Sequence, residues 1–223
     1  MANTNLTLIG TRSRPHNAVR AFDALKKNST ISDFVMIINE DQADMYPDID
    51  GVTTEVVANG LGCNGKANAI MDKYVDRYET ISGIDDDTVV QTKGWDEILC
   101  EPIKRIGYGV SYGNDGLRGA DLPTKVTIST NIIKALGFYA PPMLFHSYAD
   151  NFWKKMGETI GSIHYFENVN LEHLHWTNGK AVKDETYDSN TPELMNIDRI
   201  AYDDYIQNQF DLDMARLKEA LGL

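Results

Sequence analysis

The sequence has few cysteines and no long apolar run. Only Cys63 and Cys100 occur among 223 residues, and two cysteines without a secretory segment predict free thiols in a reducing compartment. No run approaches the ~18 consecutive apolar residues of a membrane span, and the N-terminus lacks the basic and apolar regions of a signal peptide. We therefore expect a cytoplasmic protein that has no membrane partner.

Basic side chains are in the minority. The chain has 21 Lys and Arg against 33 Asp and Glu, a net charge of −12, which argues against binding to nucleic-acid phosphates. The exception is residues 93–155, which contain 8 basic and 6 acidic side chains. Lysines scattered over the surface are the simpler explanation of this local positive charge, but the segment is also compatible with a polyanionic acceptor.

Linker sequences are missing as well. No Pro-, Gly- or Ser-rich stretch divides the chain, and 42% of its residues are hydrophobic, enough for one substantial core. We expect a single domain covering residues 1–223.

Short apolar runs alternate with amphipathic stretches in the first part of the chain. The apolar runs at residues 6–10, 34–38 and 78–84 predict buried strands. Between them lie stretches whose apolar residues recur at helical spacing. This alternation predicts an α/β fold with a mostly parallel, doubly wound, Rossmann-like sheet, in which ligands bind beyond the carboxyl ends of the strands. The polar residues expected at or after these ends are Thr11, Asn39, Asn64 and Asp85.

An acidic triplet, Asp85-Asp86-Asp87, follows the third of these strands. Side chains alternate along an extended backbone, so Asp85 and Asp87 should share a face while Asp86 points away. Two carboxylates on one face suit Mg²⁺ or Mn²⁺, which keeps coordination positions free for a substrate pyrophosphate. A solvated turn is the alternative, because Asp is common in turns.

Two histidines, His173 and His175, form the second candidate metal element. They end a stretch, residues 164–176, that alternates loosely like a strand, so the pair should share one face. Imidazole binds Mn²⁺ better than Mg²⁺. We slightly favour His175 as the ligand; the alternative is that either ring packs beside Trp176 or caps the strand.

Five motifs follow one another along residues 5–176. They are Thr-Arg-Ser-Arg-Pro at 11–15, Ile-Ile-Asn-Glu-Asp at 37–41, Gly-Lys-Ala-Asn-Ala at 65–69, Asp-Asp-Asp-Thr-Val at 85–89 and Glu-His-Leu-His at 172–175. Each is weakly specific alone, but their order and spacing resemble compact glycosyltransferases of the GT-A fold, which use a nucleotide sugar and a metal held by an Asp-x-Asp motif. The small size is similar to that of bacteriophage glycosyltransferases, some of which decorate hydroxymethylated pyrimidines in DNA.

The resemblance implies a single GT-A domain with a nucleotide-sugar half at about residues 1–92, an acceptor half at about 93–180 and a C-terminal helix at about 200–223. It implies that Asp85 meets the donor ribose or a metal-bound water, that Asp87 binds the metal directly and that His173 or His175 completes the metal site. The residues implied in donor binding are Thr11, Arg12, Asn39, Asp41, Asn64, Lys66, Asn68 and Asp85.

Lys66 also has an independent argument. Backbone N–H groups at a helix N-terminus, with a lysine beside them, favour an anion such as a phosphate. An ordinary exposed lysine is the alternative.

Transfer with inversion needs a base to take the proton of the acceptor hydroxyl. Asp150 is the best candidate, although Ser147-Tyr148-Ala149-Asp150 also matches a capping box, in which Asp150 would serve only the helix start. A retaining enzyme would need no such base.

These observations predict a metal-dependent hexosyl- or pentosyltransferase that moves a sugar from a nucleoside diphosphate, by analogy UDP, to a hydroxyl. A hydroxymethylated pyrimidine in phage DNA is one candidate acceptor, which would place the enzyme in an infected bacterial host. One alternative is a sugar nucleotidyltransferase, because Gly10-Thr11-Arg12 resembles the start of those enzymes, although the richer glycine loop of that family is missing here. The other alternative is a non-catalytic nucleotide-sugar or metal-binding module.

Two further segments have predicted roles. Residues 111–125, rich in Gly and Asp, are expected to form a loop that binds the acceptor or acts as a lid. Residues 203–221 carry an apolar stripe at helical spacing, which should pack on the domain or on a second subunit in a homo-oligomer.

Overall fold

The computed structural model describes residues 3–223 and has one eight-stranded sheet with helices on both faces. The strands are β1 (Asn5–Gly10), β2 (Ser32–Asn39), β3 (Val52–Val57), β4 (Thr80–Gly83), β5 (Thr88–Val90), β6 (Val110–Asn114), β7 (Val126–Ser129) and β8 (Ile163–His173). The helices are α1 (Pro15–Asn28), α2 (Cys63–Tyr74), α3 (Trp95–Ile106), α4 (Thr130–Leu136), α5 (Ala149–Thr159), α6 (Glu185–Ser189), α7 (Pro192–Asn208) and α8 (Phe210–Leu221).

The strands lie in the order β3-β2-β1-β4-β7-β6-β8-β5. β3, β2, β1 and β4 are mutually parallel, and β6 is parallel to β8. β7 runs antiparallel to both β4 and β6, and β5 antiparallel to β8. The predicted single-domain α/β fold with a mostly parallel sheet is therefore confirmed.

Alternation along β1 distributes its side chains between two apolar layers. Leu8 packs into the layer that contains Ile70 of α2, while Ile9 faces the layer that contains Phe22 of α1. Both faces of this central strand are buried, as expected where helices cover both sides of a parallel sheet. Pro15 occupies the first turn of α1, where its missing N–H costs no helical hydrogen bond.

Several element boundaries differ from the sequence prediction. The strand predicted at 78–84 is shorter, because β4 covers only Thr80–Gly83, and the acidic triplet lies in the connection from β4 to β5. β8 ends at His173, which leaves His175 beyond the strand. The predicted helix at 203–221 is two helices, because the chain breaks at Gln209 between α7 and α8.

The C-terminal stripe packs on its own domain. Phe210, Met214 and Leu217 are buried in the main apolar cluster with Phe152 of α5. These side chains therefore pack within the chain's own core. Homo-oligomer formation through the C-terminal helices stays a prediction. Among the described residues, no helix combines the length and apolarity that crossing a membrane requires.

Candidate active site

The site residues gather at the carboxyl ends of β1, β2 and β4, as the parallel arrangement predicts. Thr11 directly follows β1, Asn39 is the last residue of β2, and the acidic triplet follows β4. Lys66 reaches this edge from the first turn of α2, where its Nζ donates to the Thr11 carbonyl over 2.7 Å. The strand ends thus assemble residues that are far apart in the sequence.

Asp85, Asp87 and His173 form a compact group, in which one candidate ligand atom from each lies within 4.8 Å of the others. Antiparallel pairing of β5 with β8 sets His173 opposite Thr88, next to Asp87. His173 Nε2 lies 3.2 Å from Asp87 Oδ1. Two carboxylates and an imidazole are a donor set that suits Mn²⁺ and accommodates Mg²⁺.

Two buried atoms of this group have unused hydrogen-bonding capacity. Among the described residues, Asp87 Oδ1 has the His173 Nε2 contact but accepts no hydrogen bond, and His173 Nδ1 has no hydrogen-bond partner. Buried polar atoms are rarely left in this state without a reason. The unused hydrogen-bonding capacity of Asp87 Oδ1 and the chemistry of the donor set both fit a divalent cation.

The structure does not bring His175 into this group. Its Nδ1 is hydrogen-bonded to the Thr177 hydroxyl over 2.7 Å, and its ring packs edge-on against Tyr187. Because β8 has already ended, the strand alternation that would have placed the two histidines together does not apply. Of the two histidines, His173 is therefore the one that lies beside Asp85 and Asp87, whereas the sequence slightly favours His175.

Asp87 is buried, which argues against the alternative of a solvated turn. Burial opposes its ionisation, but the neighbouring His173 and Lys125 together with the Tyr187 hydroxyl hold the pKa of Asp87 well below its ordinary value. Asp87 is therefore a carboxylate at neutral pH, the form that binds a cation.

Asp86 points away from the cation group, as predicted, and ties the triplet to the loop after β1. It accepts hydrogen bonds from the Thr11 hydroxyl at 2.6 Å and from Arg14 at 3.3 Å. Burial raises the pKa of Asp86 to about 6, although Thr11 and Arg14 act in the opposite direction. Its role in this structure is to position neighbouring groups.

Arg14 is a central cation that sequence reasoning did not select. Its guanidinium makes two hydrogen bonds to Asp184, at 2.8 and 2.6 Å, and lies 4.0 Å from the centre of the Tyr187 ring. These contacts hold the N-terminal part of α6 over the triplet. The Thr-Arg-Ser-Arg-Pro motif contains Arg14, but the resemblance implies donor binding only for its Thr11 and Arg12.

Lys125 is one of the 8 basic side chains of residues 93–155, but it is not on the surface. It is buried, and its Nζ lies 2.5 Å from Asp85 Oδ2. Burial disfavours its charged form, yet the Asp85 and Asp87 carboxylates outweigh this and hold the pKa of Lys125 above its ordinary value. Lys125 belongs to the acidic site and does not face solvent.

Lys66 is not an ordinary exposed lysine, because only 4% of it is accessible. Burial lowers the pKa of Lys66 to about 8. It stands near the N-terminus of α2, as the anion-binding argument required.

Three residues predicted to meet the nucleotide converge beside this lysine. Arg12 donates to Asn39 over 3.3 Å and to Asp41 over 3.2 Å. Asn39 is buried and also donates to the Ala58 carbonyl. Arg12 and Asp41 are open to solvent and thus to a ligand.

Asn64 and Asn68 have structural partners. The Asn64 amide donates to the Leu144 carbonyl, while Asn68 donates to the Ala140 carbonyl and accepts from the backbone of Tyr139 and Ala140. Both residues hold the segment before α5 against α2. A contact between either side chain and a donor stays a prediction.

Asp150 does not belong to a capping box. The N-cap of α5 is Tyr148, with a φ of 68° and no side-chain cap, so Ser147 does not play the predicted part. The Asp150 carboxylate accepts the Asn151 N–H at 2.9 Å. Burial raises the pKa of Asp150, against the opposing effects of that hydrogen bond, Lys125 and Arg118.

No protein-family model and no curated protein sequence matches this chain, whereas solved structures do. The mannosyltransferase PcManGT from Pyrobaculum calidifontis, in complex with GDP-Man and Mn²⁺, superimposes with a TM-score of 0.58 at 12% identity over 100% of this chain and 75% of its own. Rv0371c from Mycobacterium tuberculosis, in complex with manganese, gives 0.54 at 12% identity over 81% of this chain and 97% of its own.

TarS from S. aureus gives a TM-score of 0.56 at 12% identity over 77% of this chain, which spans 37% of the length of that protein. Identities this low establish likeness of fold. The chain therefore has the single-domain α/β fold of the GT-A glycosyltransferases.

Proposed function

We propose that this protein is a metal-dependent glycosyltransferase that moves a sugar from a nucleoside diphosphate to a hydroxyl acceptor. The observation that carries the proposal is the group formed by Asp85, Asp87 and His173 at the carboxyl ends of the parallel strands, in which Asp87 Oδ1 lies 3.2 Å from His173 Nε2 and accepts no hydrogen bond from the described residues. The GT-A fold supports the same function by analogy.

Asp87 and His173, with Asp85 beside them, would hold Mn²⁺ or Mg²⁺. When bound, the ion supplies a positive charge that stabilises the diphosphate leaving group. The chain adds its own cations at the same edge, because Lys66 and Arg14 both contact residues of the β1 loop or the triplet. Their positive charge favours a phosphate at this position.

The nucleoside half of the donor is assigned to the patch formed by Arg12, Asn39 and Asp41, which is joined by hydrogen bonds and partly open to solvent. UDP is proposed as the carrier because it is the commonest in this fold class. GDP is the nucleotide to compare with it, since PcManGT is in complex with GDP-Man.

Asp150 is proposed as the base if the reaction inverts the sugar. Its side chain is half-buried, and burial raises its pKa above the ordinary aspartate value, which makes the carboxylate a stronger base. The acceptor side includes the loop after β6, which Asp115 orders by accepting the backbone N–H groups of residues 117–119.

A hydroxymethylated pyrimidine in phage DNA stays a proposal for the acceptor. Exposed Arg118 on the loop after β6 would contact phosphates, whereas buried Lys125 would not. The charge argument for DNA therefore has one basic residue fewer to support it. Sugars, proteins and small hydroxyl compounds are the competing acceptors.

Release of nucleoside diphosphate from UDP- and GDP-sugars, measured with Mn²⁺, with Mg²⁺ and with chelator, tests the function. A glycosyltransferase should release the diphosphate slowly by hydrolysis even without acceptor, and only with metal. Asp87→Asn, which keeps the size of the side chain, is the negative control.

The same assay separates the alternatives. A sugar nucleotidyltransferase would instead form a nucleotide sugar and pyrophosphate from a sugar phosphate and a nucleoside triphosphate. A non-catalytic module would bind the nucleotide sugar without turnover. Nucleotide sugars that bind and stay intact with every acceptor tried would overturn the proposal.

A further inference from the structure

Cys63 and His146 form a thiol–imidazole pair outside the acidic group. Cys63 is the first residue of α2 and is partly accessible, and His146 lies in the loop before α5. Cys63 Sγ is 3.5 Å from His146 Nδ1. Cys100, the other cysteine, is fully buried beside Thr80, and burial raises its pKa to about 12.

The pair is held in place from two sides. Asp198 of α7, itself fully buried, accepts the backbone N–H groups of Phe145, His146 and Ser147 at 2.8, 2.8 and 2.6 Å. On the other side, a Cβ at Gly62 would lie 2.0 Å from the Phe145 carbonyl oxygen, so only glycine allows this close approach. The loop that carries His146 is thus fixed against the start of α2.

The geometry gives the thiol a proton acceptor. Sγ lies 3.5 Å from both Nδ1 and the carbonyl oxygen of His146, and only the imidazole can take up the proton. The titratable groups that face His146 are Cys63, Asp85 and Asp198. Mainly the neighbouring Cys63 raises the pKa of His146 to about 9, although burial acts in the opposite direction. Cysteine reacts as the thiolate, which an imidazolium and a helix N-terminus both favour.

We propose that Cys63 is a modification site that reacts with small-molecule disulfides, of which glutathione disulfide is the representative. His146 takes the thiol proton, and the Cys63 sulfur attacks one sulfur of the disulfide. The old S–S bond breaks as the new one forms, and the departing thiolate keeps the electron pair and receives the proton from His146. One disulfide is consumed and one thiol released for each protein modified.

The adduct would have a consequence for the donor, a point that rests on the proposed function. Cys63 precedes Lys66 by about one turn of α2. A glutathionyl group at this position would project at the entrance to the phosphate-binding edge. Modification should therefore reduce nucleotide binding.

The modification itself is tested on the native protein with dithiodipyridine, whose thiopyridone product is followed by absorbance. One thiol should react quickly at neutral pH, Cys63→Ser should abolish this phase, and Cys100→Ala should keep it. His146→Gln, which keeps a polar side chain but cannot take up the proton, should slow the phase about tenfold. A fast phase that survives in Cys63→Ser, or an unchanged rate in His146→Gln, would overturn the proposal.

Calorimetry of UDP or GDP with Mn²⁺ then tests the consequence. Protein treated with glutathione disulfide should bind nucleotide at least tenfold more weakly, binding should return after reduction, and Cys63→Ser should be insensitive. Equal binding before and after treatment would refute the blocking effect. If untreated protein binds no nucleotide, the proposed function fails, while the thiol kinetics still decide the status of Cys63.

Discussion

The hydroxyl of Tyr187 donates a hydrogen bond to Oδ2 of Asp87 over 2.7 Å. This contact places α6 directly over the acidic triplet, and Asp184, the N-cap of α6, binds Arg14 from the same side. One oxygen of Asp87 is thus engaged by a neutral donor, while the other faces His173. The carboxylate is oriented before any ligand arrives.

Tyr187→Phe should lower the free energy of unfolding by about 1–2 kcal/mol, because it removes a hydrogen bond to a charged group and keeps the aromatic ring on Arg14. Urea unfolding without metal measures this. In an Asp87→Asn background the same substitution should cost less, since the charge-assisted part is already gone. Equal costs in both backgrounds would mean that the two residues are not coupled.

His173→Gln should weaken Mn²⁺-dependent nucleotide binding more than Mg²⁺-dependent binding, because imidazole suits Mn²⁺ better than Mg²⁺. Calorimetry with each ion gives the comparison. His175→Gln is the matched control and should change neither, as the structure leaves that ring on Thr177 and Tyr187. A larger effect at His175 would restore the sequence preference.

Asp87→Asn should abolish Mn²⁺-dependent binding altogether, since the amide lacks the charge of the carboxylate. It should also lower stability, because Asp87 is buried in contact with Arg14, His173 and Tyr187. Circular dichroism is needed to show that the variant is folded. Full Mn²⁺-dependent binding by a folded variant would exclude Asp87 as a ligand.

Nucleotide affinity should fall as pH rises through about 8. Lys66 has a pKa of about 8 in the free protein, and only its charged form attracts phosphate, so deprotonation above this pH weakens binding. Titrations between neutral and alkaline pH test the sign. Lys66→Met should bind more weakly throughout and lose this pH dependence; a retained dependence would assign it to another group.

Asp150→Asn should reduce sugar transfer by about 10²–10⁴-fold while leaving donor binding intact, if Asp150 acts as the base. In the native enzyme, transfer should decline as pH falls through the Asp150 pKa, which lies above the ordinary aspartate value, because the base must be deprotonated. Asp121→Asn, at an exposed carboxylate, is the control. Unimpaired transfer by Asp150→Asn would point to a retaining reaction or another base.

Transfer onto duplex DNA that contains hydroxymethylpyrimidine should fall steeply with salt if DNA is the acceptor, because binding to phosphates releases counterions. Arg118→Ala should then raise the apparent KM for DNA without changing donor hydrolysis. Lys125→Ala should impair donor hydrolysis as well, since Lys125 contacts Asp85. No transfer onto such DNA from a donor that is hydrolysed would eliminate this acceptor.

Local patterns in the sequence were sufficient to predict strands in the first half of the sheet. The apolar runs at 6–10 and 34–38 lie in β1 and β2. The same kind of apolar run predicted a strand before the acidic triplet, and β4 does precede it. Residue type and short-range spacing carry this information, because strand and helix periodicity are properties of a few consecutive residues.

Only the tertiary structure decided which distant groups share the site. His173 lies beside Asp87 because β5 pairs with β8 in one register and β8 then ends. Lys125 is buried on Asp85, and Tyr187 reaches Asp87 from 100 residues away. These contacts depend on strand pairing across the sheet and on the position of α6 against the packed core. The local sequence around each residue does not specify which distant residue it contacts.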